Sequence, residues 1–538
     1  MKSLKIISLV LILMNPMISY SQEWIRTFDI SRTVIPYQVK ETYDHGILIG
    51  AAIDYVGIYK IGWIIKTDIN GIVLWEKQLG NGSHMWLLQG LDTTKDGGII
   101  ISGRCDTLGQ HFDPFLMKLN PCGEIEWCRF FHTANKADYG MKVKSLADGS
   151  YLMLIHEYNL TGYTDISVQL NHVDNSGNLI WEQKYFEQDS LGYAYTEKDL
   201  SVIQQNKYLI TGTCYHALSG QSGPYWVWPM LILADSSGES VFELPFGYDN
   251  PFPEMIDGEG YQSIQINGTI FSSICHYQMV ASGYSPALIK TTVEGNEVSY
   301  KDLVNNTPYG KASTLTKFND STLFIGIWYQ KQNLQTSLSV IKTDTVGIIK
   351  KEKILNNSEY IPSDATFTHD KKYLIAAQEC ANYCIFHLWK LNENLEWDSI
   401  YTQPHVYDSL CPYPLTTSTL YSPCDIIESV VEPAWNTERV KLHIYPNPAS
   451  SILHIEMPEC IQKESKTAHL NVSTIFHQWT KDLHLEIHDL FGRLVYEKDV
   501  NKQETRISVD VSAWSSGLYT IRLVYGDTTV AVEKVVVE

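Results

Sequence analysis

Residues Asp96-Gly97-Gly98-Ile99-Ile100-Ile101-Ser102-Gly103 form the stretch of sequence that decides the fold. Asp and Gly favour a tight turn, and the apolar run after them favours a short buried β-strand. The same kind of turn recurs along the chain at successive spacings of 52, 52, 58, 61, 53 and 50 residues. A repeat of about 50 residues indicates a protein built from repeated supersecondary units. The seven turns are Asp44-His45-Gly46, Asp96-Gly97-Gly98, Asp148-Gly149-Ser150, Asn206-Lys207, Asn267-Gly268, Asp320-Ser321 and Asp370-Lys371.

A second signal lies later in the repeats and reads as strand, turn, strand. It occupies residues 64–75, 116–127, 172–181 and 388–397, and each example ends in Trp. Gly and Asn in these turns supply the positive φ that a hairpin needs. Each repeat therefore holds four short strands, which predicts a blade of a β-propeller. The lack of 3.6-residue periodicity excludes solenoids of helix pairs.

These repeats predict an all-β chain in which residues 22–403 form a seven-bladed β-propeller, with innermost strands near residues 37, 87, 140, 196, 261, 311 and 362. The repeat consensus also resembles propeller repeats common in large secreted bacterial proteins, which implies the fold but no single activity.

Closure of the ring is ambiguous at this stage. Trp24 precedes Trp75 by 51 residues, so residues 23–30 read as an outermost strand whose blade lies at the other end of the repeats. Such an exchange hides exposed strand edges. Residues 395–401 compete for the same position, and an eight-bladed propeller or an open ring remains an alternative.

The last hundred residues have a different character. Their motifs, in chain order, are Tyr445-Pro446-Asn447-Pro448, Leu490-Phe491-Gly492-Arg493, Gly517-Leu518-Tyr519 and Lys534-Val535-Val536-Val537. In this order they resemble the type A C-terminal sorting domain of the type IX secretion system. The resemblance implies a small Ig-like β-sandwich over residues 441–538, which the type IX secretion machinery recognises and which is usually removed after export. The residues that carry the sorting motif are Pro446, Asn447, Pro448, Gly492, Gly517, Tyr519 and Lys534.

The N-terminus has the features of a secretory signal peptide over residues 1–21. Two lysines precede an apolar run at residues 6–14, and Ser19 and Ser21 are small residues before the expected cleavage point. The run is too short to span a bilayer, which takes about 20 residues. We expect export through the Sec translocon, no integral membrane segment, and a final location that is secreted or on the outer cell surface of a Gram-negative bacterium.

Composition narrows the function classes. The 538 residues carry a formal net charge of −20, which argues against nucleic-acid binding because that function needs a basic surface to neutralise phosphates. The ten cysteines permit disulfides in an exported chain. Residues 404–440, rich in Pro, Ser and Thr, are expected to be a linker partly wrapped on the propeller. The candidate cysteine pairs, with buried thiols as the alternative, are Cys411 with Cys424, Cys122 with Cys128, and Cys380 with Cys384.

Loops from distant repeats are expected to gather around one mouth of the propeller. In a four-stranded blade, the loop between the second and third strands and the link to the next blade open on the same face. The aromatic side chains in these loops have polar groups at the ends of their rings, which suits binding of sugar faces, peptides and other flat amphipathic ligands. The candidate ligand-binding residues are Tyr55, Tyr59, His111, Tyr158, Tyr163, Tyr215, Tyr225, Trp226, His276, Tyr277, Trp328 and Tyr329, and the same loops carry Tyr284 and Tyr383. The inter-blade links add Trp86, Tyr139, Tyr193, Tyr195, Tyr261, Tyr309 and Tyr360, for which packing between blades is the alternative.

Catalytic motifs are absent from the sequence, which contains no G-x-S-x-G elbow, no H-E-x-x-H and no Walker loop. No cofactor site is recognisable, and the 17 histidines show no metal-ligand spacing. The sequence therefore predicts a binding protein whose propeller face takes an extracellular glycan, peptide or protein partner. The alternative is a carbohydrate-active hydrolase or lyase with acids at the channel. Its candidate acids, for which solvated loop positions are the favoured interpretation, are Asp54, Asp106, Glu157 and Asp165.

Overall fold

A computed structural model describes residues 23–55, 59–80, 84–106, 111–132, 136–159, 167–186, 193–216, 226–245, 256–278, 283–295, 298–304, 309–331, 335–358, 360–421, 424–428, 442–456, 483–489, 493–500, 505–525 and 528–538. The expected signal peptide lies outside these residues. The chain divides into two compact units, Met1–Val431 and Glu432–Glu538. The described residues form strands and one 3₁₀ turn, Gln204–Asn206. Within that same part of the chain, no helix has the length and apolar character needed to cross a membrane.

The first unit is a propeller of seven antiparallel four-stranded blades. Strand β1 (Ile25–Phe28) precedes blade 1, which comprises β2 (Thr33–Glu41), β3 (Ile47–Tyr55), β4 (Tyr59–Thr67) and β5 (Val73–Leu79). Blade 2 comprises β6 (Trp86–Thr93), β7 (Ile99–Cys105), β8 (Asp113–Leu119) and β9 (Ile125–His132). Blade 3 comprises β10 (Lys136–Ser145), β11 (Tyr151–Asn159), β12 (Ser167–Val173) and β13 (Leu179–Tyr185). Blade 4 comprises β14 (Tyr193–Ile203), β15 (Lys207–His216), β16 (Trp226–Ala234) and β17 (Ser240–Pro245), and blade 5 comprises β18 (Gly258–Ile266), β19 (Thr269–Gln278), β20 (Gly283–Thr292) and β21 (Val298–Asp302). Blade 6 comprises β22 (Gly310–Asn319), β23 (Thr322–Gln330), β24 (Thr336–Asp344) and β25 (Ile349–Asn356). Blade 7 comprises β26 (Tyr360–Phe367), β27 (Tyr373–Cys380) and β28 (Cys384–Leu391), and β1 completes it.

The seven-bladed fold predicted from the repeat is confirmed, and each inner strand contains its predicted position. The turn that defines the repeat has a specific geometry. In blade 2, Thr94 N donates to Gly98 O and Gly97 N donates to Thr94 O. Gly97 has a φ of 83°, a left-handed conformation that glycine adopts without steric cost. The sequence signal is strong because this backbone restricts which residues can occupy the turn.

A β-bulge interrupts every inner strand at an equivalent point. In three blades, the side chain just after the bulge reaches the next blade and accepts a hydrogen bond from its backbone. Gln38 Oε1 accepts from Leu91 N at 2.5 Å, and Gln262 Oε1 accepts from Leu315 N at 2.8 Å. Asp364 Oδ2 accepts from Val39 N at 2.9 Å and thereby joins blade 7 to blade 1. These bonds give partners to backbone donors on the inner edges of the blades.

The structure resolves the ambiguity at ring closure, because both candidate segments use the edge of β28. Strand β1 pairs with residues 386–389 of β28, and the Phe28 and Phe386 rings stack at 4.4 Å. Beyond that point, Trp397 forms a bridge with Leu391, and Asp398 N donates to Lys390 O. Trp24, just before β1, is completely buried. The ring therefore closes with seven blades, and residues 395–401 do not build another blade.

Residues 401–421 and 424–428 form a segment, here called the clasp, that crosses the outer edges of blades 1 and 2. Its strands β29 (Ser418–Leu420) and β30 (Asp425–Glu428) pair in parallel with β5 and β9. Asp408 in the clasp contacts the buried ammonium of Lys66, which also binds Asp44 at 2.6 Å. The clasp is thus part of the propeller's packing.

Two of the three candidate disulfide pairings are wrong. Cys122 pairs with Cys411 and Cys128 pairs with Cys424, so the clasp cysteines bond to blade 2 and not to each other. The hairpin bridge between Cys380 and Cys384 is confirmed. Proximity in sequence failed for the first two because the clasp runs beside β9, which brings residues almost 300 positions apart into contact.

The second unit consists of two sheets around one apolar core. Their strands are β31 (His443–Tyr445), β32 (Ile452–Glu456), β33 (Leu483–His488), β34 (Leu494–Asp499), β35 (Arg506–Asp510), β36 (Gly517–Tyr525) and β37 (Thr528–Val537). The sheet orders are β31-β32-β35 and β34-β33-β36-β37. This arrangement fits the predicted Ig-like sandwich.

Candidate ligand-binding face

The end of the propeller where the inner strands begin is the face that the sequence predicts for ligands. Antiparallel order places the start of each inner strand beside the loop between the second and third strands of its blade. Among the described polar and aromatic side chains on this face are two groups that each span neighbouring blades. One group, in blades 2 to 4, is mainly buried, and the other, in blades 4 to 6, is partly open to solvent.

The buried group packs adjacent blades together. The Arg104 guanidinium lies 3.9 Å from the centroid of the Tyr139 ring, and Tyr139 stacks with His156 at 6.2 Å. His156 Nδ1 lies 2.7 Å from Glu197 Oε2, and both side chains are almost inaccessible to solvent. For Tyr139, packing between blades is therefore the better interpretation.

The open group surrounds Glu259 at the head of β18. Tyr277 OH donates to Glu259 Oε1 at 2.7 Å, and Tyr261 OH donates to Oε2 at 2.5 Å. Lys311 Nζ, on the inner strand of the next blade, lies 3.4 Å from Oε2. We call this group the tyrosine cluster; its members are Tyr215, Glu259, Tyr261, Tyr277, Tyr284, Tyr309 and Lys311.

The remaining tyrosines extend the cluster across three blades. Tyr284 lies edge-on to Tyr309 with centroids 5.0 Å apart, and its ring lies 6.0 Å from that of Tyr277. The Lys311 ammonium is 5.7 Å from the Tyr284 ring. Tyr215, on β15 of blade 4, is half-buried, and the charges of Glu259 and Lys311 act on it. Tyr309 is 41% exposed, so the cluster presents an accessible aromatic surface.

At the centre of the cluster, the Glu259 carboxylate is ionised and the nearby Lys311 ammonium balances its charge. Burial by itself raises the pKa of Glu259, but the Tyr261 hydrogen bond, the Lys311 charge and the Tyr277 hydrogen bond outweigh it and lower the pKa. Burial, together with the adjacent carboxylate, raises the pKa of Tyr277 and of Tyr261. Both phenols therefore stay protonated and serve as donors to Glu259. The cluster is preorganised, and its rings are held in fixed positions.

The structure locates the sequence-predicted candidates unevenly. Of the twelve, Tyr215 and Tyr277 belong to the tyrosine cluster. His276 contacts Asp302 at 2.9 Å and lies beside Tyr300, whereas Trp328 and Tyr329 are each only 9% exposed. His111 is exposed. The others are Tyr55, Tyr59, Tyr158 and Trp226, at strand ends without described side chains, and Tyr163 and Tyr225, which lie outside the described residues.

Sequence analysis missed Glu259 and Lys311, the charged centre of the cluster. Each lies two residues from an inter-blade tyrosine that was recognised, Tyr261 and Tyr309 respectively. Alternation along a strand places residues i and i+2 on the same side. A charged residue at that spacing from an inner-strand aromatic was the available signal.

The candidate catalytic acids do not form a pair among the described side chains. Glu157 is buried, accepts from Ser167 Oγ at 2.5 Å and contacts Lys184 Nζ at 3.0 Å. Asp54 is 3.6 Å from Lys60, and Asp106 accepts from Met85 N. Asp165 lies outside the described residues.

A separate cavity of about 770 Å³ lies between the clasp and the outer edges of blades 1 and 2, away from the predicted face. Trp127, Arg129, Tyr413 and Leu415 contribute to its walls. It follows the seam made by the two long-range disulfides. No sequence-predicted ligand residue lines it, and its position is explained by the docking of the clasp.

The sorting motif of the second unit is docked on the last strand. Asn447 Oδ1 accepts from Val536 N at 2.9 Å, and Asn447 Nδ2 donates to Lys534 O at 3.1 Å. Tyr519 OH donates to Ser515 O at 2.8 Å, close to the start of β36 at Gly517. Pro446 and Pro448 flank Asn447, and Gly492 lies outside the described residues.

Together these features define a β-propeller protein with a C-terminal β-sandwich. Residues 443–538 match the family described as "Secretion system C-terminal sorting domain". The chain therefore carries a type IX secretion system sorting domain, and the protein is secreted or attached to the outer surface of a Gram-negative bacterium. Interaction with the type IX secretion machinery follows from the same domain.

Comparisons with solved structures find distant similarity. A Dyadobacter fermentans protein of unknown function is 9% identical with a TM-score of 0.40, covering 68% of this chain and 98% of that one. The polysaccharide lyase Uly1 is 9% identical with a TM-score of 0.41, covering 67% and 90%. A Penicillium chrysogenum α-L-arabinanase in complex with arabinobiose is 11% identical with a TM-score of 0.38, covering 58% and 94%. No curated protein matches this sequence.

Proposed function

We propose that this protein is an exported binding protein that holds an extracellular glycan, peptide or protein partner on the tyrosine cluster. The observation that supports this proposal most is the partly exposed set of tyrosines fixed around the Glu259–Lys311 pair. Among the three ligand classes, the cluster suits a glycan best. Sugar rings present apolar C–H faces to aromatic rings and hydroxyls to their polar tips.

The internal ion pair makes the cluster a poor cation cage. Aromatic cages that bind quaternary ammonium groups use their rings and a carboxylate to attract the ligand's charge. Here Lys311 already lies 5.7 to 5.8 Å from the Tyr284 and Tyr261 rings and 3.4 Å from Glu259. A neutral ligand with stacking faces therefore fits better than a cationic one.

Arrays of immobilised glycans and peptides, incubated with the labelled full chain, test the proposal. Tyr309→Ala and Tyr284→Ala remove ring surface from the cluster and should each weaken binding about tenfold, which is about 1.4 kcal/mol. Tyr421→Ala, which removes a tyrosine that is 53% exposed on the clasp, is the matched control and should bind normally. Equal binding by all three variants would remove the tyrosine cluster from consideration.

A carbohydrate-active hydrolase or lyase is the second candidate, and one observation favours it. Burial raises the pKa of Asp257 despite a hydrogen bond from Trp228 and the nearby His276, while the pKa of Glu259, two residues away, is lowered. An acid with a raised pKa and an ionised carboxylate are the two groups that acid–base catalysis of glycoside cleavage uses. Release of reducing ends from an array-positive glycan, abolished by both Asp257→Asn and Glu259→Gln, would establish this activity. Glycan binding without cleavage would favour the binding function.

A further inference from the structure

We propose that Glu41, His45 and His369 form a divalent transition-metal site at the opposite end of the propeller from the tyrosine cluster. Glu41 ends β2 in blade 1, His45 lies in the turn that follows, and His369 lies in the equivalent turn of blade 7. Glu41 Oε1 is 2.6 Å from His369 Nδ1 and 3.3 Å from His45 Nδ1. The candidate ligand atoms of the three residues all lie within 4.8 Å of one another.

The donor set and its spacing suit coordination by one ion. Two imidazoles and one carboxylate suit Zn²⁺, Ni²⁺ or Cu²⁺. Zinc bonds to these donors are about 2.0–2.2 Å long, which separates tetrahedral ligand atoms by about 3.4 Å. The pair at 3.3 Å already has this separation, and the pair at 2.6 Å needs to open by about 0.8 Å. When the ion binds Nδ1 of His369, the neutral imidazole carries its single ring proton on Nε2.

The turns of blades 1 and 7 bring the two imidazoles together. His45 has a φ of 60°, and Lys371, at the equivalent position of the blade 7 turn, also has a φ of 60°, so this backbone conformation belongs to the turn itself. The His45 ring stacks on the His369 ring with centroids 3.6 Å apart. This contact between the two turns places both rings beside the Glu41 carboxylate.

The site lies at the seam where the ring closes. Blades 1 and 7 are the first and last blades in the chain, and Asp364 already joins their inner strands through Val39 N. An ion held by residues of both blades adds a second link across this seam. Both histidines are accessible, with side chains 38% and 49% exposed, so an ion can enter from solvent. The expected role is metal-dependent stabilisation of the closed ring outside the cell.

Zinc titration of the metal-stripped full chain, followed by calorimetry and thermal unfolding, tests this site. The wild type should bind Zn²⁺ and unfold at a higher temperature when Zn²⁺ is present. His45→Gly removes a ligand but places glycine where the turns of blades 2 and 3 have it, so the metal-free variant should be at least as stable as the wild type. His369→Ala removes the ligand from the other blade. Both variants should bind at this site at least 10-fold more weakly and lose the thermal shift.

The second unit offers a matched control. His484 and His488 approach Glu486 at 3.3 and 2.9 Å, but Arg522 lies 3.5 Å from the same carboxylate and disfavours a cation there. His488→Ala should leave zinc affinity and the thermal shift unchanged. Zinc binding that survives in His45→Gly and His369→Ala, or a wild type without zinc binding at 100-fold excess over protein, would overturn the assignment and leave the group as a hydrogen-bonded surface cluster.

Discussion

The two disulfides of the clasp should stabilise the propeller in a strongly non-additive way. Cys122–Cys411 and Cys128–Cys424 join residues 289 and 296 positions apart. In the chain-entropy model, closing a loop of this length restricts the unfolded chain by about 6 kcal/mol at 25 °C. Once one bridge is present, the second closes only the small loop made of residues 122–128 and 411–424, which is worth about 3 kcal/mol.

Removal of either bridge by paired Cys→Ala substitution should therefore lower the free energy of unfolding by about 3 kcal/mol. Removal of both should lower it by about 9 kcal/mol, so the combined loss exceeds the sum of the separate losses by about 3 kcal/mol. The assay is urea unfolding of the full chain under non-reducing conditions, followed by tryptophan fluorescence.

The hairpin bridge Cys380–Cys384 is the internal control. It joins residues only 4 positions apart, so its removal should cost about 2 kcal/mol and add independently to the other changes. Two results would refute the reasoning. One is a four-cysteine variant whose loss equals the sum of the two single-bridge losses, and the other is a loss near 6 kcal/mol for each bridge alone.

Three further predictions follow from other parts of the molecule. Trp24→Ala should lower the free energy of unfolding by about 3–5 kcal/mol because Trp24 is completely buried at the closing blade. Thermal unfolding measures this loss, with Trp397→Ala, at a partly buried position on the same edge, as the comparison. Equal losses of stability in the two variants would contradict the closure argument. Burial alone raises the pKa of Asp44, but hydrogen bonds from Lys66 and Thr42 lower it overall. The ionised Asp44 carboxylate therefore stabilises the folded propeller fully above about pH 4. This contribution to stability is lost as the pH falls through the lowered pKa of the folded state. Asp44→Asn should thus cost about 3 kcal/mol at pH 7 and much less at pH 2, as urea midpoints at the two pH values will show; a cost independent of pH would count against the ion pair. Deletion of residues 443–538 should leave the propeller in the periplasm, and detection of the truncated chain in the culture medium by immunoblot would contradict the sorting role.

Local chemistry explains why much of the fold could be predicted. The turn around Gly97 demands a left-handed residue, and the strands after it have a regular apolar pattern, so seven repeats were recognisable without any long-range information. The motif around Asn447 could also be recognised from the sequence, and the structure shows it hydrogen-bonded to β37. The five tyrosines of the seven-residue cluster were visible in the same way, because tyrosines such as Tyr277 lie in loops and inter-blade links that the repeat places on one face.

The amino-acid sequence by itself determined the repeats and their inner strands, since these depend on turn geometry and strand periodicity within about 50 residues, and the motifs of its last hundred residues determined the sorting domain. Only the tertiary structure decided how β1 and Trp397 share the edge of β28, which cysteines pair, and that Glu259 and Lys311 form one charged centre. The same holds for His45 and His369, which come from turns 324 residues apart. The physical reason is that these contacts form only when the ring closes and brings its two ends and its neighbouring blades together. No local sequence pattern predicts which residues are then in contact.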